Sequence, residues 1–105
     1  MSLKKLSTVA LIVAASWGVS VQAAEPETCS KVRFADVGWT DITATTALAS
    51  TLLTALGYEP SSQVLSVPVS YASLKNKDID VFLGNWMPTM KADIQPYLDD
   101  KTVES

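Results

Sequence analysis

After residue 30, short apolar segments alternate with longer segments of helical periodicity, and this alternation restricts the chain to few folds. The segment "KVRFADV", Lys31 to Val37, alternates apolar with polar residues and precedes Gly38, a pattern that predicts a β-strand. From Asp41 to Leu56 the apolar residues recur at spacings of three, four and seven, which predicts an amphipathic helix: Ile42, Ala49, Leu52, Leu53 and Leu56. Gly57 follows directly and is the expected end of that helix.

The alternation continues after the turn "GYEPSS". The segment "QVLSVPV", Gln63 to Val69, predicts a second strand that Pro68 ends or confines. The segment "SYASLKNKD" then predicts a short helix with Ser70 as its cap and with Tyr71 and Leu74 facing inward.

A nearly continuous apolar run, "IDVFLG", predicts a third strand from Ile79 to Gly84, of the kind found in parallel sheets covered on both faces. Helical turns interrupted at Pro96 are expected after it. The order strand, helix, strand, helix, strand predicts the α/β class, with a parallel sheet and right-handed crossovers.

The first 23 residues carry a different pattern. Lys4 and Lys5 precede the apolar run "VALIVAASW", and small residues stand at Val21 and Ala23, which is the layout of a secretory signal peptide. The run is shorter than the roughly 20 residues that span a bilayer, so a permanent membrane anchor is the weaker interpretation. We therefore expect a signal peptide over residues 1–23 and one small domain over residues 24–105.

The composition argues against several classes of function. The chain carries a net charge of −3, and without Lys4 and Lys5 six basic residues face eleven acidic ones, about −5. Binding of nucleic acid phosphates requires clustered Lys and Arg, which are scattered here. Histidine is absent, which removes the usual general base and the commonest metal ligand. An enzyme, a metal site and a cofactor are therefore not expected.

Cys29 is the only cysteine of a chain that carries an export signal. Exported proteins tend to pair their cysteines, so three interpretations stay open: a free thiol, an intermolecular bond, or a partner in sequence that is not present. We favour the last. The closing segment "YLDDKTVES" shows no helix cap and no terminal element, so we expect an N-terminal piece of a longer chain.

Two tryptophans follow predicted strands of the sheet, at the point where each strand ends. Trp39 comes after the first strand in "VGW", and Trp86 comes after the third in "LGNW". Ligands of open parallel sheets bind outside the carboxyl ends of the strands, and this rule predicts a binding site at the shared edge. The competing interpretation is that each indole caps the core.

The residues around the tryptophans favour a cationic ligand. Few charged groups lie nearby, and Asp41 stands two residues after Trp39. A quaternary ammonium group loses water easily and gains about 2 kcal/mol or more per desolvated aromatic face. A stacked sugar is the alternative ligand, but it needs more hydrogen-bonding side chains than Thr40, Asp41 and Asn85 supply.

Three long segments resemble one family: "VRFADVGWTDITATTA", "LSVPVSYASLKNKDIDVFLGNWMP" and "PYLDD...VES". They are similar to the N-terminal part of periplasmic choline-binding proteins of ABC importers, in the glycine betaine and choline substrate-binding superfamily. The resemblance covers about Cys29 to the last residue. It implies a periplasmic binding protein-like fold, a two-lobed clamp, of which this chain holds only the N-terminal part of the first lobe.

The resemblance also implies a site. Trp39 and Trp86 match two walls of an aromatic box around a trimethylammonium group, and Asp41 matches the acidic residue that contacts the hydroxyl end of choline. A carboxylate accepts a hydrogen bond from an alcohol but repels the carboxylate of betaine, which favours choline. The alternative role of Asp41 is to cap the helix. The resemblance further implies a disulfide from Cys29 to a later cysteine.

The expected function is therefore that of the periplasmic substrate-binding component of a choline importer. Its implied partners are choline or a related quaternary amine and the permease and ATPase of the transporter, so that the membrane is reached only through the permease. Two alternatives remain: a binder of glycine betaine, carnitine or another quaternary amine, and a truncated remnant that binds nothing.

Overall fold

A computed structural model describes residues 27–105; the predicted signal peptide, residues 1–23, lies outside this range. After a 3-10 turn at Glu27–Cys29, three strands alternate with three helices. These are β1 (Lys31–Asp36), α1 (Thr40–Ala55), β2 (Glu59–Val64), α2 (Val67–Lys75), β3 (Val81–Phe82) and α3 (Lys91–Asp99). None of the helices in residues 27–105 is long and apolar enough to cross a membrane.

The three strands form one parallel sheet in the order β2-β1-β3. The central strand β1 pairs with β2 along its whole length, from Lys31 opposite Glu59 to Asp36 opposite Val64. It pairs with β3 over two residues, with Phe34 opposite Val81 and Ala35 opposite Phe82. The predicted α/β class and the parallel sheet are confirmed, and the carboxyl ends of β1 and β3 lie at one edge.

The second strand and the second helix both begin earlier than predicted. Strand β2 begins at Glu59 and contains Pro60, which this edge strand tolerates because one of its sides is unpaired. Helix α2 begins at Val67, with Ser66 as N-cap and Pro68 in its first turn, where the fixed φ of proline suits a helix. The prediction of a strand from Gln63 to Val69, with Ser70 as helix cap, is therefore wrong.

The structure also differs from the sequence prediction in the elements after α2. Strand β3 is only two residues long, although the predicted run began at Ile79. Helix α3 continues through Pro96 instead of being interrupted there. Its C-terminal end is closed by Lys101 at φ 58°, since Thr102 N–H donates to the carbonyl of Tyr97 over 3.0 Å. The expectation that the closing segment has no helix cap is therefore wrong.

The predicted glycine terminates helix α1, two residues after its last helical residue, Ala55. Gly57 takes φ 94°, and the N–H of Tyr58 donates to the carbonyl of Leu53 over 3.0 Å, as in a Schellman motif. The predicted apolar face is only partly buried: Ile42 is in the core, whereas Leu52 and Leu56 are exposed. The amphipathic pattern thus identified the helix correctly but overstated how much of it packs within residues 27–105.

The core lies between the sheet and its helices. Its buried apolar residues are Phe34, Ala35, Ile42, Tyr71, Ile79, Met90 and Ile94. Tyr71 of α2 is almost fully buried, and its ring contacts Phe82 edge to face, with ring centroids 5.7 Å apart. It also stacks on Tyr97 of α3 with centroids 5.8 Å apart. Tyr71 therefore joins the third strand to both flanking helices.

One ion pair joins the central strand to the segment before β3. The guanidinium of Arg33 donates to both carboxylate oxygens of Asp80, over 3.0 and 2.9 Å, and the N–H of Arg33 donates to the same carboxylate. These hydrogen bonds from Arg33 hold the pKa of Asp80 below its usual range, although burial opposes the shift. The pair favours the charged form of Asp80 in the folded state.

Asp80→Asn is expected to lower the midpoint of thermal unfolding more at pH 7 than at pH 3. Because the pKa of Asp80 is depressed in the folded state, its stabilising effect is present above the pKa of the unfolded chain, about 4, and is lost as the pH falls through the lower folded value. The effect is small, since both side chains are partly exposed.

The control for this measurement is Glu59→Gln, which removes the same charge from an exposed strand residue. Thermal unfolding followed by circular dichroism at both pH values compares the two variants with the parent chain. A loss of stability in Asp80→Asn that is equal at pH 3 and pH 7 would contradict the role assigned to the ion pair.

Candidate functional site

The structure brings Trp39 and Trp86 together at the carboxyl edge of the sheet. Their ring centroids are 6.4 Å apart and the ring planes meet at 85°. The side chains are exposed, Trp39 by 41% and Trp86 by 54%. The interpretation that each indole caps the core is therefore wrong, because a capping indole would be buried. The two rings instead form an open, nearly right-angled aromatic pair.

The turn after β1 presents Trp39. Gly38 takes φ 76°, a conformation that glycine adopts without strain. Trp39 is the N-cap residue of α1, and its carbonyl accepts the first helical hydrogen bond from Thr43 N–H over 2.8 Å. The Trp39 side chain is therefore attached at the residue where the extended backbone changes to helix.

A buried carboxylate that the sequence analysis did not single out supports this turn. Asp36, the last residue of β1, is only 6% exposed. Its carboxylate accepts from Gly38 N–H over 2.8 Å and from the hydroxyl of Thr43 over 2.8 Å. Aspartate two residues before a glycine is a known turn signal, so the spacing could have indicated the first of these bonds. The bond to Thr43 depends on the position of α1.

The loop after β3 presents Trp86. Gly84 is packed so closely that a Cβ atom there would lie 2.6 Å from the ring of Phe82 and 3.3 Å from Ile42 of α1. The absence of a side chain lets this loop approach the first turn of α1, which carries the other tryptophan. The N–H of Trp86 donates to the buried sulfur of Met90 over 3.3 Å.

Asn85 connects this loop to the core. Its Oδ1 accepts from the hydroxyl of Tyr71 over 2.7 Å, and its Nδ2 donates to the hydroxyl of Ser105 over 3.0 Å. Burial raises the pKa of the Tyr71 hydroxyl above its usual range, and the hydroxyl donates to Asn85 as a neutral group. The residue preceding Trp86 is thus held from two sides.

Asp41 lies in the first turn of α1, two residues after Trp39. Its side chain is exposed, and no side chain caps the helix, whose N-cap residue is Trp39. The alternative that Asp41 caps the helix is therefore wrong. As an acidic residue in the first turn, Asp41 still complements the positive end of the helix dipole. Its carboxylate stands on the same turn as one wall of the aromatic pair.

A cavity lies away from the two tryptophans, between β3, α2 and the last residues of the chain. Its volume is about 570 Å³, and its lining includes Tyr71, Phe82, Asn85 and Val103 but neither tryptophan.

Within residues 27–105, no group of three or more His, Cys, Asp or Glu side chains could hold a metal ion. Cys29 is exposed, and its thiol is free within residues 27–105.

The OpuAC family, described as the substrate binding domain of ABC-type glycine betaine transport systems, matches residues 30–105. The chain belongs to this family. The family is thus one of substrate-binding domains of transport systems and not a family of enzymes.

Two solved structures resemble the OpuAC domain described here. One is an ABC-transporter choline binding protein in complex with choline, with 77% sequence identity and a TM-score of 0.72 over 73% of this chain. The other is an ABC-transporter choline binding protein in an unliganded, semi-closed conformation, with 76% identity and a TM-score of 0.66 over 71% of this chain. The matches confirm the expected periplasmic binding protein-like fold class.

The chain is shorter than its relatives. It spans 27% and 26% of the two choline-binding proteins. An uncharacterized protein, ORF1 of Chromohalobacter salexigens, is 55% identical over 99% of this chain, which covers 64% of ORF1. These proportions agree with the expectation that the chain is a fragment, whereas its assignment to the first lobe stays a prediction.

Proposed function

We propose that this chain contributes the first part of the choline site of an ABC importer's substrate-binding component. The observation that carries the proposal is the exposed pair of Trp39 and Trp86 at the carboxyl edge of a parallel sheet. The high identity to proteins described as choline binding supports the same ligand. Trp39, Trp86 and Asp41 are the residues proposed to contact it.

The geometry of the pair suits a trimethylammonium group. The indoles meet edge to face, with centroids 6.4 Å apart and ring planes at 85°, and both side chains are exposed. A cation that approaches the exposed face of either ring to within roughly 6 Å of its centroid is attracted by that ring. The same edge-to-face contact also suits packing of the two indoles on each other, and a ligand titration distinguishes ligand binding from packing alone.

Asp41 is proposed to select choline over glycine betaine. With no capping role in α1, its exposed carboxylate is available to accept a hydrogen bond from the hydroxyl of choline. The carboxylate of glycine betaine would instead meet a like charge. Glycine betaine remains the second candidate, because the family description names it and the open N-terminus of α1 suits an anionic group.

The same proposal implies where the protein acts and which partners it has. The component would be exported by a signal peptide at residues 1–23, would act in the periplasm, and would deliver its ligand to the permease and ATPase of the transporter. Cys29 would form a disulfide with a cysteine of the longer protein. The remaining aromatic walls and the second lobe would also belong to that longer protein, so this chain would supply half of the site.

Titration of the purified chain with choline and with glycine betaine tests the proposal. Tryptophan fluorescence is the reporter, and far-UV circular dichroism establishes that the chain is folded. We expect a saturable change with choline and a weaker response to glycine betaine. A folded chain whose tryptophan emission does not respond to millimolar choline would contradict the proposal that residues 27–105 carry part of the site.

Asp41→Asn is expected to weaken choline binding about tenfold, as for the loss of one charge-assisted hydrogen bond, and to narrow the preference over glycine betaine. The matched control is Asp93→Asn, which removes the same charge from the first turn of α3. Isothermal titration calorimetry with both ligands measures the change. An unchanged ratio of the two affinities in Asp41→Asn would refute the selective role of Asp41.

A further inference from the structure

The buried carboxylate of Asp36 has no part in the ligand contacts proposed above, yet it meets two groups that flank Trp39. One is the N–H of Gly38, the residue before the tryptophan. The other is the hydroxyl of Thr43, four residues after it, which lies 2.8 and 3.1 Å from the two carboxylate oxygens. A single side chain therefore joins the end of β1, the turn and the first turn of α1.

We propose that Asp36 and Thr43 are positioning residues that fix the direction of the Trp39 indole relative to Trp86. The inference rests on the proposed function, because the positioning matters for choline only if the aromatic pair binds it. Neither residue is proposed to touch the ligand. Their effect reaches the site through the backbone between residues 36 and 43.

The hydrogen bonds themselves support this role. The backbone carbonyl of Asp36 accepts from Leu65 N–H over 2.7 Å, which anchors the residue to the segment after β2. The carboxylate is thus attached to the sheet, while Thr43 is attached to α1, whose first hydrogen bond ends on the Trp39 carbonyl. Because the carboxylate is buried, water replaces a lost partner poorly, and the turn would change conformation instead.

The cleanest variant is Thr43→Val, which removes the hydroxyl but leaves the shape of the side chain and the negative charge of Asp36 in place. Asp36→Asn removes that charge and one acceptor oxygen while keeping the volume. Comparison of the two variants separates positioning from electrostatic attraction of the cation. Thr43→Ser restores the hydroxyl and serves as the rescue variant.

The matched control is Thr51→Val. Thr51 lies two turns later on the exposed part of α1, and its hydroxyl donates to the carbonyl of Ala47 over 2.9 Å. The control therefore removes a helical threonine hydroxyl that does not meet Asp36. Any general effect of the Thr-to-Val change on α1 appears in this variant as well.

Two measurements test the positioning role, one with ligand and one without. Choline affinity by calorimetry should fall about tenfold in Thr43→Val, as for one lost hydrogen bond to a charged acceptor, and should recover in Thr43→Ser. Near-UV circular dichroism of the ligand-free chain, which reports the mutual orientation of the indoles, should change in Thr43→Val and Asp36→Asn but not in Thr51→Val.

The two proposals fail in different ways. If the parent chain binds choline and Thr43→Val keeps both its affinity and its near-UV spectrum, the positioning role is refuted while the proposed function stands. If the parent chain does not bind choline, the proposed function fails, and the near-UV spectra still decide whether Asp36 and Thr43 orient Trp39. Loss of thermal stability without either change would mean a purely structural role and would overturn the inference.

Discussion

Trp86→Ala is expected to weaken choline binding by about 30-fold, because one desolvated aromatic face contributes about 2 kcal/mol to binding a quaternary ammonium. Trp39→Ala should have a similar effect. Both indoles are proposed to contact the same choline molecule. If they are the only aromatic faces of the site in this chain, the variant that lacks both should bind choline too weakly to measure. The expectation follows from the 6.4 Å separation and the exposure of both rings.

Calorimetry is the appropriate measurement for these variants, because each substitution removes a fluorescent reporter. Trp86→Phe keeps an aromatic face of smaller area, so its affinity should lie between those of the parent chain and Trp86→Ala. Leu48→Ala is the control: it removes an exposed apolar side chain from α1 at a distance from the turn. Equal affinities in the parent chain and both alanine variants would exclude the aromatic pair as the binding site.

Tyr71→Ala is expected to destabilise the fold by about 3–5 kcal/mol, as large-to-small changes at buried aromatic residues do. Its ring is 1% exposed and contacts both Phe82 and Tyr97, so its removal leaves a cavity between the third strand and two helices. Small domains have total stabilities of roughly 5–15 kcal/mol. The variant should therefore unfold at a markedly lower urea concentration than the parent chain.

Tyr71→Phe separates packing from hydrogen bonding, since it keeps the ring and removes only the hydroxyl that donates to Asn85. Its expected cost is about 1 kcal/mol. Urea unfolding followed by far-UV circular dichroism measures both variants against the parent chain. Equal losses in the two variants would show that the hydroxyl and not the buried ring is decisive, which the structure does not predict.

Local sequence signals predicted much of the architecture. Period-two alternation before Gly38 identified β1, and period-3.6 spacing followed by Gly57 identified α1. The second strand was misplaced for a physical reason: "QVLSVPV" is apolar and rich in β-branched residues, but Pro68 suits the first turn of a helix as well as the end of a strand. A short apolar segment cannot distinguish these states without its neighbours.

The candidate site, like the fold, could be predicted from the sequence only in part. Trp39 and Trp86 could be assigned to one edge because parallel strands bring their carboxyl ends together. Asp41 could be assigned to the start of α1, but its lack of a capping role is visible only in the structure. Asp36 was overlooked because an aspartate at the end of a strand is a common turn residue. Its hydrogen bond with the Thr43 hydroxyl joins residues seven positions apart, and no local pattern indicates it.

The order of elements, the parallel sheet and the placement of two tryptophans at its edge could be predicted from the sequence, because these depend on periodicity and chain direction. The separation and angle of the indoles, the burial of Asp36 and the close approach at Gly84 became visible only in the folded chain. These depend on how side chains from distant segments fill a common space. Local patterns carry no information on that packing, because each contact requires both partners in place.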